Sequence, residues 1–168
     1  SFVGPDYLRF DFSHFSKMTE DELALVEEKV NAKIQESIAL QEFRNIPIQE
    51  ALDRGAMALF GEKYGDNVRM IQFGTSMELC GGTHVKNTSE IGLFKIVSES
   101  SAAAGIRRIE AISGDKSAEY FKNLEKQIAA LSQLLKSKDV VRSIEKLIEE
   151  NTALKSEVEA FKKEKAKG

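Results

Sequence analysis

The 168-residue sequence has one cysteine, two histidines and no apolar run approaching the length of a membrane span. A single cysteine excludes an intramolecular disulfide and leaves a thiol that a reducing compartment preserves, so a cytoplasmic location is expected. The absence of a long apolar run predicts no membrane span, and the opening residues, SFVGPDYLRF, lack the basic-then-apolar order of a secretory signal. One thiol and two imidazoles are also too few for an ordinary closed Cys/His zinc site, which takes four protein ligands. A global basic footprint is missing as well. Residues 1 to 113 carry 12 Lys and Arg against 17 Asp and Glu, a net of −5, and residues 114 to 168 carry 12 against 10, a net of +2. Non-specific nucleic-acid binders show the opposite balance, so any contact with nucleic acid must use a local patch. The densest candidate is Arg107-Arg108 with Lys95 nearby, and the alternative reading is two arginines solvating a strand edge.

What is present describes a globular chain with an appendage. At 42 % hydrophobic and 30 % charged, the sequence can bury one good core. It starts at Ser1 rather than Met, which gives the expectation of a piece of a longer protein. Tyr7 to Phe12 alternates apolar and polar residues as a half-buried strand does. Thr19-Glu20-Asp21-Glu22 has the order of a capping box and opens a helix with Leu23, Val26, Val30, Ile34 and Ile38 on one side. A strand follows around Phe43 to Ile48, with Pro47 at its end, and then a short helix over Gln49 to Gly55. Three β-rich runs, Asn67 to Phe73, Gly92 to Ser98 and Ile106 to Ile112, are bounded by glycine or serine. The predicted class is α+β: a mostly antiparallel sheet with packed helices, followed by a helical hairpin or coiled-coil extension.

The extension is read from a change of period. Phe121, Leu124, Ile128, Leu131 and Leu135 form one 3-4 seam, and Val140, Ile144, Leu147, Asn151, Leu154, Val158 and Phe161 form another. Lys136-Ser137-Lys138-Asp139 separates them. Two such seams predict either an antiparallel pair or an intermolecular coil, with Asn151 able to fix register or partner, and the plainer alternative is an amphipathic helix lying on the globular part.

The chemistry concentrates in Met77 to Val85, MELCGGTHV. Cys80 and His84 offer thiolate sulfur and imidazole nitrogen, both good zinc ligands, and Gly81-Gly82 argues for a turn that brings them toward one point. The same glycines allow a substrate backbone to approach closely. The alternative is a structural cysteine beside an incidental histidine. His14 is either a further ligand or a polar residue closing the YLRFDF strand, and Asp11 or Glu78 are not selected by spacing. A nucleophilic Cys80, with His84 or His14 as base and the N–H groups of Gly81 and Gly82 as oxyanion hole, lacks an identifiable group to orient the histidine.

The strings LRFDFSH at 8 to 14, GAMALFGEKYGDNVR at 55 to 69, ELCGGTHV at 78 to 85 and GLFKIVSESSAAAGIRRIEA at 92 to 111 resemble the editing domain of alanyl-tRNA synthetase, in the same order. The resemblance implies a division into residues 1–113, an editing (aminoacyl-tRNA deacylase) domain lacking its N-terminal part, and residues 114–168, the start of the C-terminal helical region. It implies zinc in the intact protein, held by an upstream His-x-x-x-His pair together with Cys80 and His84. That upstream pair would precede Ser1, so weak or absent zinc is expected in this piece. The implied reaction is hydrolysis of the ester joining serine or glycine to tRNA(Ala), with the aminoacylated 3′ end as partner. ATP and Mg would be used by a synthetic domain outside this chain. Gly81, Gly82 and Thr83 would admit the substrate end, while phosphate contact by Arg107 and Arg108 is inferred from charge alone. No catalytic residue is assigned. Free-standing alanyl editing proteins share the Cys-x-x-x-His pattern, and an inactive helical interaction module that forms homo-oligomers is the alternative of a different class.

Overall fold

The computed structural model describes residues 1–58 and 63–166. The elements run β1 (Phe2–Val3), β2 (Leu8–Ser13), α1 (Glu20–Gln35), β3 (Leu40–Pro47), α2 (Ile48–Asp53), β4 (Asn67–Phe73), β5 (Ser76–Leu79), a 3-10 turn at Thr88–Ile91, β6 (Phe94–Ala103), β7 (Ile106–Ser113), α3 (Asp115–Leu135) and α4 (Val140–Lys165). Residues 59–62, inside the string GAMALFGEKYGDNVR, lie outside the described residues. The chain divides into two compact units, Ser1–Ala118 and Glu119–Gly168.

The α+β class holds, with every strand pair antiparallel, but the strands form two sheets rather than one. One has the order β1-β2-β7-β6 and the other β3-β4-β5. Each sheet buries its own apolar cluster. Leu23, Val26, Val30 and Ile34 of α1 pack with Leu8, Phe12, Phe94, Ile96, Ile109 and Ala111 of the first sheet. Val68, Met70 and Leu79 of the second pack with Ala51 and Ala56.

Helix α1 starts where its cap dictates. Thr19 Oγ1 accepts from the Glu22 N–H at 3.2 Å, and the Glu22 carboxylate accepts from the Thr19 N–H at 2.8 Å. These bonds satisfy two N–H groups that the helix leaves unpaired, and the acidic first turn suits the positive end of the helix dipole. The expected apolar stripe is shorter than its sequence reading: Ile38 lies beyond the helix, because Ser37 turns the chain with a φ of 55°. Glu27 and Asn31, one turn apart, grip the edge of β6. Asn31 Nδ2 donates to the Phe94 carbonyl and Asn31 Oδ1 accepts from the Phe94 N–H, both at 2.9 Å. Glu27 accepts from the Ile96 N–H at 2.8 Å. The two side chains supply the partners that a missing neighbour strand would have given.

The C-terminal end of α1 is closed from a distant part of the chain. The buried Thr88 hydroxyl accepts from the Ile38 N–H at 2.9 Å and lies 3.1 Å from the Lys33 carbonyl and 3.2 Å from the Ile34 carbonyl. Thr88→Val keeps the shape and removes the oxygen, leaving the Ile38 N–H without its acceptor. Denaturant unfolding of this variant is expected to show a loss of about 1–3 kcal/mol, the cost of a buried group left unpaired. An unchanged unfolding midpoint would contradict the assigned role.

In the second unit, α3 and α4 flank the break expected at Lys136–Asp139. Lys136 takes a φ of 48°, and Asp139 caps α4 by accepting from the Arg142 N–H at 3.0 Å. The apolar seams remain open to solvent in the single chain: Ile128 is 59 %, Leu147 52 % and Phe161 69 % exposed. Among the described residues no helix is long and apolar enough to cross a membrane.

Candidate functional site

The Cys80–His84 loop leaves the end of the β4-β5 hairpin. Met70 pairs with Leu79 in that hairpin, and the Cys80 N–H donates to the Arg69 carbonyl at 3.2 Å, which extends the ladder by one step. From Cys80 to Lys86 the chain is neither helix nor strand, as the two glycines predict. It is caught again at the start of β3, where the Leu40 N–H donates to the Lys86 carbonyl at 2.8 Å and Ala39 bridges Asn87. Both ends of the loop are therefore fixed to the second sheet.

Within the loop the two expected zinc ligands have unused donor atoms. Cys80 is a half-buried free thiol. His84 rests near the Phe73 ring, with centroids 6.4 Å apart, and its Nε2 is buried without a hydrogen-bond partner among the described residues. A buried, unpaired imidazole nitrogen costs about 1–3 kcal/mol unless something else engages it. A metal is such a partner, and the thiol four residues away belongs to the same ligand chemistry. The two residues fit zinc as part of a ligand set. Among the described residues no group of three or more His, Cys, Asp or Glu side chains is placed to hold a metal ion. His14 sits at the end of β2, its ring near Phe12 and its Nε2 3.4 Å from Ser16 Oγ, which is the strand-closing position expected as its alternative.

Gly81, Gly82 and Thr83 are exposed and line a groove of about 640 Å³ with His84, Arg44, Arg69 and Lys86. Neither glycine needs a positive φ. A Cβ on Gly81 would meet nothing within 4 Å, and one on Gly82 would meet only Cys80 Sγ, at 3.6 Å. The glycines keep the groove open without being needed for the turn itself. Gly81→Leu is thus expected to leave stability within about 0.5 kcal/mol, as at other unconstrained surface sites. If the groove receives substrate, the same change raises KM by on the order of tenfold, equivalent to roughly 1.4 kcal/mol of binding. A thermal melt beside a substrate titration separates the two effects.

The groove also contains cations that sequence reading passed over. Arg69 projects from the face of β4 opposite buried Val68 and Met70, so strand alternation was the available signal. Its Nη1 donates to the Cys80 carbonyl at 2.9 Å and to the Gly82 carbonyl at 2.5 Å, and its Nε donates to Glu42 at 2.5 Å. Arg44 holds the same Glu42 carboxylate at 2.9 Å. Arg44 first, and Arg69 second, keep the Glu42 carboxyl below the ordinary carboxylate range.

Arg107 and Arg108, adjacent in sequence, do not share a face. Alternation along β7 sends them to opposite sides of the sheet. Arg107 pairs with Glu99, whose side chain is 2 % exposed, and Arg108 pairs with Asp11, each guanidinium donating twice to its carboxylate. Arg107 lowers the Glu99 pKa and Arg108 lowers that of Asp11, in each case chiefly through these hydrogen bonds. Lys95 is bound to Glu27 at 2.9 Å. All three cations of the patch expected from sequence thus already have anionic partners.

Residues 68–110, which hold the hairpin, the loop and much of the first sheet, match the family described as the second additional domain of threonyl and alanyl tRNA synthetases. Over essentially its whole length the chain is similar to alanine–tRNA ligases. It is 57 % identical to that of Flavobacterium psychrophilum over 169 residues, covering 100 % of this chain and 19 % of the relative. The ligase of Christiangramia forsetii is 57 % identical, covering 99 % of the chain and 19 % of the relative, and one from Bacteroides fragilis is 56 % identical, covering 98 % and 19 %. The chain spans about a fifth of the length of these relatives.

Proposed function

We propose that this segment supplies the Cys80–His84 half of a zinc-holding site that hydrolyses Ser-tRNA(Ala) or Gly-tRNA(Ala) within an intact alanine–tRNA ligase. In that reading residues 1–113 belong to the deacylase domain and residues 114–168 begin a helical extension. The observation that carries it is the buried Nε2 of His84, without a partner among the described residues, four residues from a free thiol in a loop whose Gly81 faces open space. Similarity to ligases along the full chain favours such a parent over a free-standing editing protein.

The physical need is discrimination. A pocket shaped for alanine rejects the smaller glycine weakly, and rejects a side chain that only adds a hydroxyl little better, so a second site removes the errors. Zinc, when bound, supplies a positive centre that activates water or orients the aminoacyl ester. The residues of this chain do the rest. Cys80 and His84 donate sulfur and nitrogen, and Gly81, Gly82 and Thr83 leave space for the aminoacylated 3′ end. Arg44, whose side chain is 75 % exposed, and Lys86 face the same groove and are placed to meet backbone phosphates. Phosphate contact at Arg107 or Arg108 would require the Glu99 or Asp11 pair to open first. ATP and Mg chemistry belongs to the synthetic part of the same ligase, which acts in the cytoplasm.

The exposed apolar seams of α3 and α4 favour a second, compatible role, homo-oligomer formation through the extension. The test of the main reading is deacylation by the intact ligase carrying this segment. Release of serine from Ser-tRNA(Ala), with Ala-tRNA(Ala) spared, supports it; equal rates on both, or none on either, would reject it.

A further inference from the structure

We infer that Arg69 is a positioning residue of this site, fixing the carbonyls of Cys80 and Gly82 and with them the loop that presents Cys80 and His84. The inference rests on the editing reading above and adds to it a groove residue that acts through the loop carrying Cys80 and His84. A seven-residue loop with two adjacent glycines has little conformational preference of its own, and each glycine loses more backbone entropy on ordering than any other residue. Something outside the loop must hold it.

Arg69 does so at three points. Its backbone carbonyl accepts from the Cys80 N–H at 3.2 Å, while its Nη1 donates to the carbonyls on either side of Gly81, at 2.9 Å to Cys80 and 2.5 Å to Gly82. The guanidinium is itself held at Nε by Glu42, 2.5 Å away, and Glu42 is held in turn by Arg44 at 2.9 Å. Four residues further on and on the same face, Phe73 backs the His84 ring. One face of β4 thus fixes both ends of the Cys-x-x-x-His element. The planar fork is needed because three acceptors lie in different directions; a lysine ammonium can reach a carbonyl but cannot keep the same fixed geometry to Glu42.

Loss of an outer partner that orients a ligand typically costs about 10–100-fold in metal affinity or activity. In the intact ligase, Arg69→Met is therefore expected to weaken zinc binding by about that factor, read by competition with a chromophoric chelator. Single-turnover deacylation of Ser-tRNA(Ala) should lose about 10–100-fold in kcat at unchanged KM. Arg69→Lys should fall between wild type and Arg69→Met in both readouts, and Glu42→Gln, which keeps an acceptor for Nε, should be milder still. Attachment of alanine to tRNA and the melting temperature serve as controls and should stay at wild-type values. Wild-type zinc affinity and kcat in Arg69→Met would overturn the role of Arg69 alone. Equal losses in Arg69→Met and Arg69→Lys that follow a lowered melting temperature would reduce it to fold stability, and overturn it too. A wild-type ligase that neither binds zinc nor deacylates would overturn the editing reading and this inference with it.

Discussion

Cys80→Ala in the intact ligase is expected to lower deacylation of Ser-tRNA(Ala) by more than about 100-fold, exceeding the effect of losing a supporting partner of a metal ligand. Alanine attachment should continue unchanged. The side chain removed is small and half-buried, and the Cys80 N–H keeps its bond to the Arg69 carbonyl, so the fold loses little. What disappears is the charged sulfur ligand, which alanine cannot replace. His84→Ala should have an effect of similar size, since it removes the other ligand of the pair. The double variant should be little worse than either single one, because residues that act as one unit do not add. Deacylation at the wild-type rate in Cys80→Ala would remove this residue from the site.

The second large effect concerns metal. Residues 1–168 alone are expected to bind zinc more than about 1,000-fold more weakly than the intact ligase. A full protein ligand set is worth about 10–16 kcal/mol, and a 1,000-fold difference corresponds to only about 4 kcal/mol of it. Cys80 and His84 account for two ligands, and no described cluster of three exists to complete the set. Titration against a competing chelator measures the difference. Tight one-to-one zinc in residues 1–168 would show that a carboxylate or His14 completes the site, contrary to the division of ligands proposed here.

The local elements were the most legible in sequence, because local chemistry determines them. Thr19 and Glu22 cap α1 as their spacing predicts, β4 spans Asn67–Phe73 as its β-rich run does, and the break between the seams falls at Lys136–Asp139. Ile38 was misplaced because an apolar residue at helical spacing carries no sign of the positive φ at Ser37 that ends the helix before it. The separation into two sheets was hidden for a different reason. It depends on β2 pairing with β7, Asp11 opposite Arg108, across nearly a hundred intervening residues. Strands β1 and β5 are too short, at 2 and 4 residues, to show a period.

The candidate site divided along the same line. Cys80, the glycines and His84 were visible because they are contiguous, and their resemblance to a known motif raised them above a chance pairing. Arg69 was not, since its work depends on the β4-β5 register that sets it opposite Cys80. Arg107-Arg108 shows the converse: adjacency in sequence suggested one patch, while strand geometry gives two side chains on opposite faces, each bound to its own carboxylate.

The role proposed for the Cys80–His84 loop is zinc-dependent removal of wrongly attached amino acids. It is tested most directly by stripping zinc from the intact ligase with a chelator and measuring single-turnover release of serine from Ser-tRNA(Ala) before stripping, after it, and after zinc is restored. Loss and recovery of release are expected, with alanine attachment unaffected throughout and no recovery in Cys80→Ala. Undiminished serine release from the metal-free protein would contradict the proposed role.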